Sequence, residues 1–289
     1  MKFKKSITIL VFIIVLLSSV AALTGIFSGN GQNAFDFKSL NGHVVKIYGD
    51  GLYKNDSVSI VSQGKAQDII TMILGIPLLI YSLYSYRKGY LKGKLLLSGT
   101  LGYFLYTYVS YTFLSMYNRF FLIYVALMSS SLFAFIISIM SIDIEKLPSQ
   151  FNKKLPVKLL SSLMFLIAFI LGIMWLGLTV PTALNETIPP VLEHYTTLVI
   201  QAMDLGFIVP VSIIAGLLLL KQKPFGYLLT SIMIIKGLTM GTALTAMIIG
   251  QIMAGVAVPL PVIVIFPFLN IFIVYCLYKT LSNVVEARA

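Results

Sequence analysis

Residues 95–142 read LLLSGTLGYFLYTYVSYTFLSMYNRFFLIYVALMSSSLFAFIISIMSI, and Arg119 is the only charged side chain in the stretch. A helix needs roughly 20 apolar residues to cross the hydrocarbon core of a bilayer. The stretch therefore holds two spans, Leu95–Tyr117 and Phe120–Ile142, turned tightly at Asn118-Arg119. Lipid offers the backbone no water, so each span must close its own hydrogen bonds as a helix.

Working outward, similar apolar runs occur at Ser6–Phe27, Ile69–Tyr86, Leu159–Pro181, Tyr195–Leu220, Phe225–Gln251 and Val256–Tyr278. The expected fold is all-α, a polytopic transmembrane bundle of about eight spans. Composition agrees. The chain of 289 residues is 58% hydrophobic and 11% charged, where soluble domains carry roughly a quarter charged residues.

The net charge of +11 would suggest nucleic acid in a soluble protein. Here the basic residues sit in short segments between apolar runs, which is how membrane orientation is set. With the N-terminus inside, the inner segments hold Lys2, Lys4 and Lys5; Arg87, Lys88, Lys92 and Lys94; Lys146, Lys153, Lys154 and Lys158; Lys221 and Lys223; Lys279 and Arg288. Both termini are thus expected in the cytoplasm, in a bacterial plasma membrane, with no nucleic-acid partner. Cys276 is the one cysteine, and His43 and His194 are far apart, so no disulfide, metal or other cofactor is expected. Lys236 does not suit a retinal Schiff base, because one complete span still follows it.

The chain divides into an N-terminal transmembrane helix at residues 1–28, an external segment at residues 29–66 and a bundle of seven helices at residues 67–289. The first span fits a secretory signal peptide, with basic residues before it and Val20-Ala21-Ala22 near its end. Its apolar run continues to Phe27, which fits a retained signal anchor. In the external segment, Val44–Tyr48, Gly49-Asp50-Gly51 and Leu52-Tyr53-Lys54 predict a short hairpin laid over the outer helix ends. The halves of the chain also echo each other. Gln67-Asp68 precedes Pro77 and Arg87 much as Gln201 to Asp204 precedes Pro210 and Lys221, with Asp, Pro and basic offsets of 136, 133 and 134. A parallel repeat of four spans each is one reading, and transporters often carry sites at such seams.

Asp68-Ile69-Ile70-Thr71, Gly75-Ile76-Pro77, Gly99 to Tyr106 with Tyr108, Tyr117-Asn118, Tyr124 to Leu127, Asp204-Leu205-Gly206 and Lys236-Gly237 stand out as motifs. Through them the chain from Asp68 onward resembles a family of uncharacterised bacterial multi-pass membrane proteins. The resemblance implies a multi-helix membrane fold and no particular chemistry.

Ionisable groups inside a span cost several kcal/mol and mark function by default. Asp204 lies in the sixth span and Lys236 near the middle of the seventh, and the two are expected to pair directly or through water. Asn270 is the third deep polar residue. Thr239, with Thr242 and Thr245, forms a stripe beside Lys236, suited to a polar path or to interhelical hydrogen bonds. Tyr111 belongs to a tyrosine-rich third span, in which Tyr103, Tyr106 and Tyr117 could share an inward stripe. Asp68, Asn118, Arg119, Glu193 and His194 are expected to meet at an outer mouth, with Arg119 paired to Asp68 or Glu193.

These features point to a permease or ion-coupled transporter of a small solute, with the lipid bilayer as its setting. The rival is a membrane sensor or an assembly partner for another membrane protein. An intramembrane enzyme would need a catalytic pair facing a cavity, with Tyr111, Glu193 and His194 as the residues to inspect. A cavity reaching Asp204 would favour transport, and a dry bundle with an apolar groove along its flank would favour a partner.

Overall fold

The computed structural model describes residues 3–286, so Lys2 and Arg288 lie outside the described residues. The fold is a helical bundle with a small sheet. The long helices are α1 (Lys4–Phe27), α2 (Val58–Arg87), α3 (Leu91–Phe113), α4 (Phe121–Met140), α5 (Val157–Leu184), α6 (Val199–Leu220), α7 (Pro224–Met253) and α8 (Leu260–Ser282). All of these except α3 are long and apolar enough to cross a membrane. Helix α3 carries Ser98, Thr100, Thr107 and four tyrosines, and is packed between α2, α4 and α7. Enclosed by protein, it meets partners for its polar groups rather than lipid.

Consecutive helices run antiparallel. Going up α3, Gly93 sits against Ser85 and Tyr86, Tyr103 against Gly75, and Tyr111 against Gly64. The basic loops share one end of the bundle. There Phe151 pairs with Val284 and packs on the Tyr227 ring, while the Glu286 carboxylate accepts the N–H groups of Leu91 and Lys92 at 2.7 and 2.9 Å. A carboxylate there caps two of the free N–H groups at the start of α3.

The internal repeat has a register of 133 residues. Helix α2 opens into a π-turn at Thr71–Gly75 and α6 at Asp204–Ile208, and each continues as a twelve-residue helix, Ile76–Arg87 and Val209–Leu220. Pro77 and Pro210 open these segments, where a missing N–H does least harm. The turns that follow contain Gly89 and Gln222, both with positive φ, and α3 and α7 then start at Leu91 and Pro224. A Cβ on Gly93 would lie 2.4 Å from the Tyr86 nitrogen, and one on Gly226 would lie 2.3 Å from the Leu219 nitrogen. Only glycine lets these hairpins close so tightly, and close backbone approach is what holds helices together in lipid.

This register corrects the aspartate correspondence. Asp204 matches Thr71, and Asp68 matches Gln201; the two acids lie about one turn apart within the repeat.

The segment between α1 and α2 also differs from expectation. Strand β1 (Phe35–Lys38) pairs antiparallel with β2 (Val44–Ile47), from Phe35↔Ile47 to Lys38↔Val44. The turn is Ser39–His43, not Gly49–Gly51. Asn41-Gly42 with Gly42 at φ 82 is a strong hairpin signal. Leu52 and Tyr53 are buried anchors rather than a strand. Helix α2 starts at Val58, capped by Ser57 Oγ accepting from the Ile60 N–H, so the non-helical segment after α1 ends near residue 57, and residues 58–66 of the expected 29–66 segment are helical. Ser62, Gln63, Lys65, Gln67 and Asp68 are polar but helical, which hid this boundary from an apolar count.

Candidate functional site

The two halves meet along α3 and α7, and α2 also packs closely on α7. The corresponding seam between α6 and α3 is looser, because α6 starts only at Val199 whereas α2 starts at Val58. A cavity of about 230 Å³ fills this seam. It extends from Tyr53, Asp56 and Gln63 at the sheet-bearing end to Asp204, Lys236 and Asn270 in the middle. Most of its wall is apolar, including Ile167, Leu171, Met174, Met233, Met240 and Phe266. Toward the basic end, Leu228, Ile234 and Ile235 are buried in a continuous core.

The π-turn puts Asp204 at the first position of its wide turn, with its carboxyl on the cavity wall. Single π-turns inside α-helices are frequently found at functional sites. Tyr106 donates its hydroxyl to Asp204 Oδ1, and Trp175 Nε1 donates to Oδ2, each at 2.8 Å. Lys236 Nζ lies 4.1 Å from the centroid of the Tyr106 ring. The expected direct ion pair is not formed. Among the described residues, Lys146–Asp143 is the only pair within 4.0 Å. Tyr106 stands between acid and amine, bound to one by its hydroxyl and to the other by its ring face.

The repeat makes the contrast with the first half direct. Where the second half has Asp204 and Lys236, the first has Thr71 and Tyr103, whose hydroxyls lie 2.9 Å apart. Gln67 Nε2 donates to Tyr103 at 2.7 Å and to Thr107 at 3.0 Å. A neutral, closed network thus occupies the position that is charged in the second half.

Asp68 belongs to a second buried cluster. Tyr53 donates to its Oδ2 at 2.7 Å, and the Tyr111 hydroxyl lies 3.0 Å from both its Oδ1 and the Gly64 carbonyl. It does not join an outer mouth. Arg119 is exposed and rests on the Phe120 ring, 5.7 Å from its centroid. Asn118 accepts the Phe120 N–H within its own turn. Asp68 is held by tyrosines because its helix runs past Tyr111 before reaching the surface.

Glu193 and His194 lie in the loop before α6. His194 Nε2 is 3.0 Å from the Asn55 carbonyl, and its ring meets Phe37 of β1 edge-on. The adjacent Tyr195 donates to Asp56 Oδ1 at 3.1 Å and accepts the Ser57 N–H, also at 3.1 Å. Met116 N–H donates to the same Asp56 oxygen at 2.8 Å. Burial pushes the Asp56 carboxyl up to about 6, against the pull of these donors, with Glu193 adding to the rise. Burial likewise raises Glu193. This latch joins the second half to the entrance of the first.

Thr239 is buried but does not line the cavity; its hydroxyl donates to the Lys236 carbonyl at 3.0 Å. Thr242 and Thr245 bond their own helix in the same way. No polar threonine path results. Asn270 Nδ2 lies 3.3 Å from Thr242 Oγ1, while its Oδ1 has no partner among the described residues. Tyr117 is exposed and leaves the inward stripe. Sequence reasoning overlooked Trp175 and Tyr195. Trp175 is the only tryptophan and sits well inside a span rather than in an interfacial belt, which is itself a signal. Among the described residues no group of three or more His, Cys, Asp or Glu could hold a metal ion.

No protein-family model, curated protein or solved structure matches this chain.

Proposed function

We propose that this protein is a multi-pass transporter of a small solute, whose pathway runs through the seam between its two four-helix halves. The observation that carries this is one cavity lined together by Asp204, Lys236 and Asn270, reaching from the sheet-bearing end to mid-bundle. Residues this polar are costly at membrane depth and favour a water-filled or ligand-filled space. The basic end, with Arg87, Lys88, Lys146 and Lys221, faces the cytoplasm by the positive-inside rule, so both termini lie inside and the cavity opens outward. In this reading α3 is the eighth span, the setting is a bacterial plasma membrane, and α1 is retained. Its buried face, Ile7, Val11, Ile14 and Ala21, is part of the first half's core.

The rival reading, a sensor or assembly partner, draws on the exposed strand β1 and on His194 and Tyr195, which tie the cap to the second half. It leaves the buried charges without a role. The test is uptake into proteoliposomes from a mixture of small carboxylates, amino acids and amines, read by mass spectrometry under an imposed proton gradient. At least one solute should accumulate above empty liposomes. Asp204→Asn and Lys236→Met, folded as judged by gel filtration, should each cut accumulation at least tenfold. No accumulation by the wild-type protein refutes transport.

A further inference from the structure

Lys236 is 9% exposed and lines the cavity, yet among the described residues its ammonium has no hydrogen-bond acceptor and no carboxylate within 4.0 Å. It lies 4.1 Å from the centroid of the Tyr106 ring. Asp204 is in the opposite position, since each of its oxygens already holds a donor, from Tyr106 and from Trp175. An ammonium carries three donors and is strongly hydrated. Buried without an acceptor, it keeps most of its desolvation cost, of which a cation–π contact offsets only a part. On this cavity wall Asn270 Oδ1 and Asp56 Oδ2 also lack partners among the described residues, but Lys236 is the cationic donor left open, and what it lacks is an acceptor with negative charge.

The surrounding wall sets the rest of the ligand. The wall that Lys236 shares also includes Met174, Met233, Met240, Leu244 and Phe266. Methionine-rich walls are apolar and adaptable, suited to alkyl groups of varied shape. Pockets of this kind bind by an apolar body, with few polar groups fixing orientation.

We infer that the cavity binds a small amphipathic carboxylate, its head group accepting from Lys236 Nζ and its alkyl chain lying among the methionines. This names the ligand class of the pathway proposed above, though binding stands or falls independently of transport. Asp204, with its two oxygens already held by Tyr106 and Trp175, stays on the cavity wall and does not itself supply the acceptor that Lys236 lacks.

The chain carries its own reporter, because Trp175 is the only tryptophan and its indole N–H is bonded to Asp204. Purified protein in lipid nanodiscs is titrated at neutral pH with hexanoate, hexanol or hexyltrimethylammonium while Trp175 emission is followed. Hexanoate should give a saturable change, with Kd at least tenfold below that for hexanol and no saturable change from the ammonium compound. Lys236→Met should weaken hexanoate at least tenfold and leave hexanol unchanged. Lys236→Arg keeps the charge and should retain binding, which guards against a variant that merely misfolds. Equal affinity for hexanoate and hexanol, or preference for the cation, overturns the inference. Hexanoate binding without uptake of any solute would sink transport alone, and uptake without hexanoate binding would sink the ligand class alone.

Discussion

Tyr106 serves Asp204 and Lys236 at once, donating its hydroxyl to the carboxylate at 2.8 Å while its ring lies 4.1 Å from the ammonium. The two functions separate by mutation. Tyr106→Phe removes one charge-assisted hydrogen bond and keeps the ring, so it should cost about 1.5–3 kcal/mol of stability. Tyr106→Leu also removes the cation–π contact and should cost up to about 2 kcal/mol more. Thermal unfolding of the purified variants orders them wild type, Phe, Leu. Equal values for the two variants would mean that the ring face contributes nothing.

Gly25 of α1 touches the Asp68 cluster. A Cβ there would lie 2.0 Å from Asp68 Oδ2 and 2.5 Å from the Tyr53 hydroxyl, whereas one on Gly172 would meet nothing within 4 Å. The carboxyl cannot retreat, being fixed by Tyr53 and Tyr111. Gly25→Ala should therefore destabilise by about 1–3 kcal/mol, as overpacking does. Gly172→Ala should be neutral or slightly stabilising, since alanine favours the helix by about 1 kcal/mol. Parallel melting curves check both.

Asp56 predicts a pH dependence. Its folded carboxyl titrates at about 6 against an ordinary 3.8, chiefly from burial. The folded state thus binds its proton more tightly than the unfolded chain does. This stability is fully present below about pH 4 and disappears as pH rises through 6, by about 3 kcal/mol at 1.36 per unit. Asp56→Asn should remove that part of the slope between pH 4 and 6, with the smaller rise at Glu193 remaining. Chemical unfolding at several pH values in this window reads the difference. A variant with the wild-type slope would contradict it.

The repeat predicts opposite effects at equivalent turns. Gln222 adopts φ 51 where Gly89 adopts φ 88. A non-glycine residue in this region is strained by about 1 kcal/mol or more. Gln222→Gly should stabilise by roughly that amount, and Gly89→Ala should destabilise by about as much. If both variants lose stability, the turns are not conformational equivalents.

The helical bundle was legible because lipid permits so few backbone solutions. Apolar runs located the helices to within a few residues at most ends. They failed at α2, where Gln63, Gln67 and Asp68 are polar because they face protein and cavity instead of lipid. They also failed to rank α3, whose tyrosines and hydroxyls are paired inside the bundle. Asp204, Lys236 and Asn270 could be chosen from depth alone, since burying charge is expensive wherever it occurs. Their company could not. The Tyr106 bridge depends on helix rotation and on the added turn width of Asp204–Ile208, and neither leaves a trace in spacing. The Asp–Pro echo hinted at the repeat but misaligned its acids, because the matching element is the π-turn and not a residue type.

The central claim is that water and solute reach the middle of the bundle through the seam beside Asp204. It is tested by placing a single thiol on the cavity wall. In a Cys276→Ala background, which removes the only cysteine, Met240→Cys lies on the wall, while Ile235→Cys lies in the buried core. A membrane-impermeant anionic methanethiosulfonate is added to right-side-out vesicles, and labelling rates are compared. Met240→Cys should react at least tenfold faster than Ile235→Cys. Equal and negligible labelling at both positions would show a dry seam and contradict it.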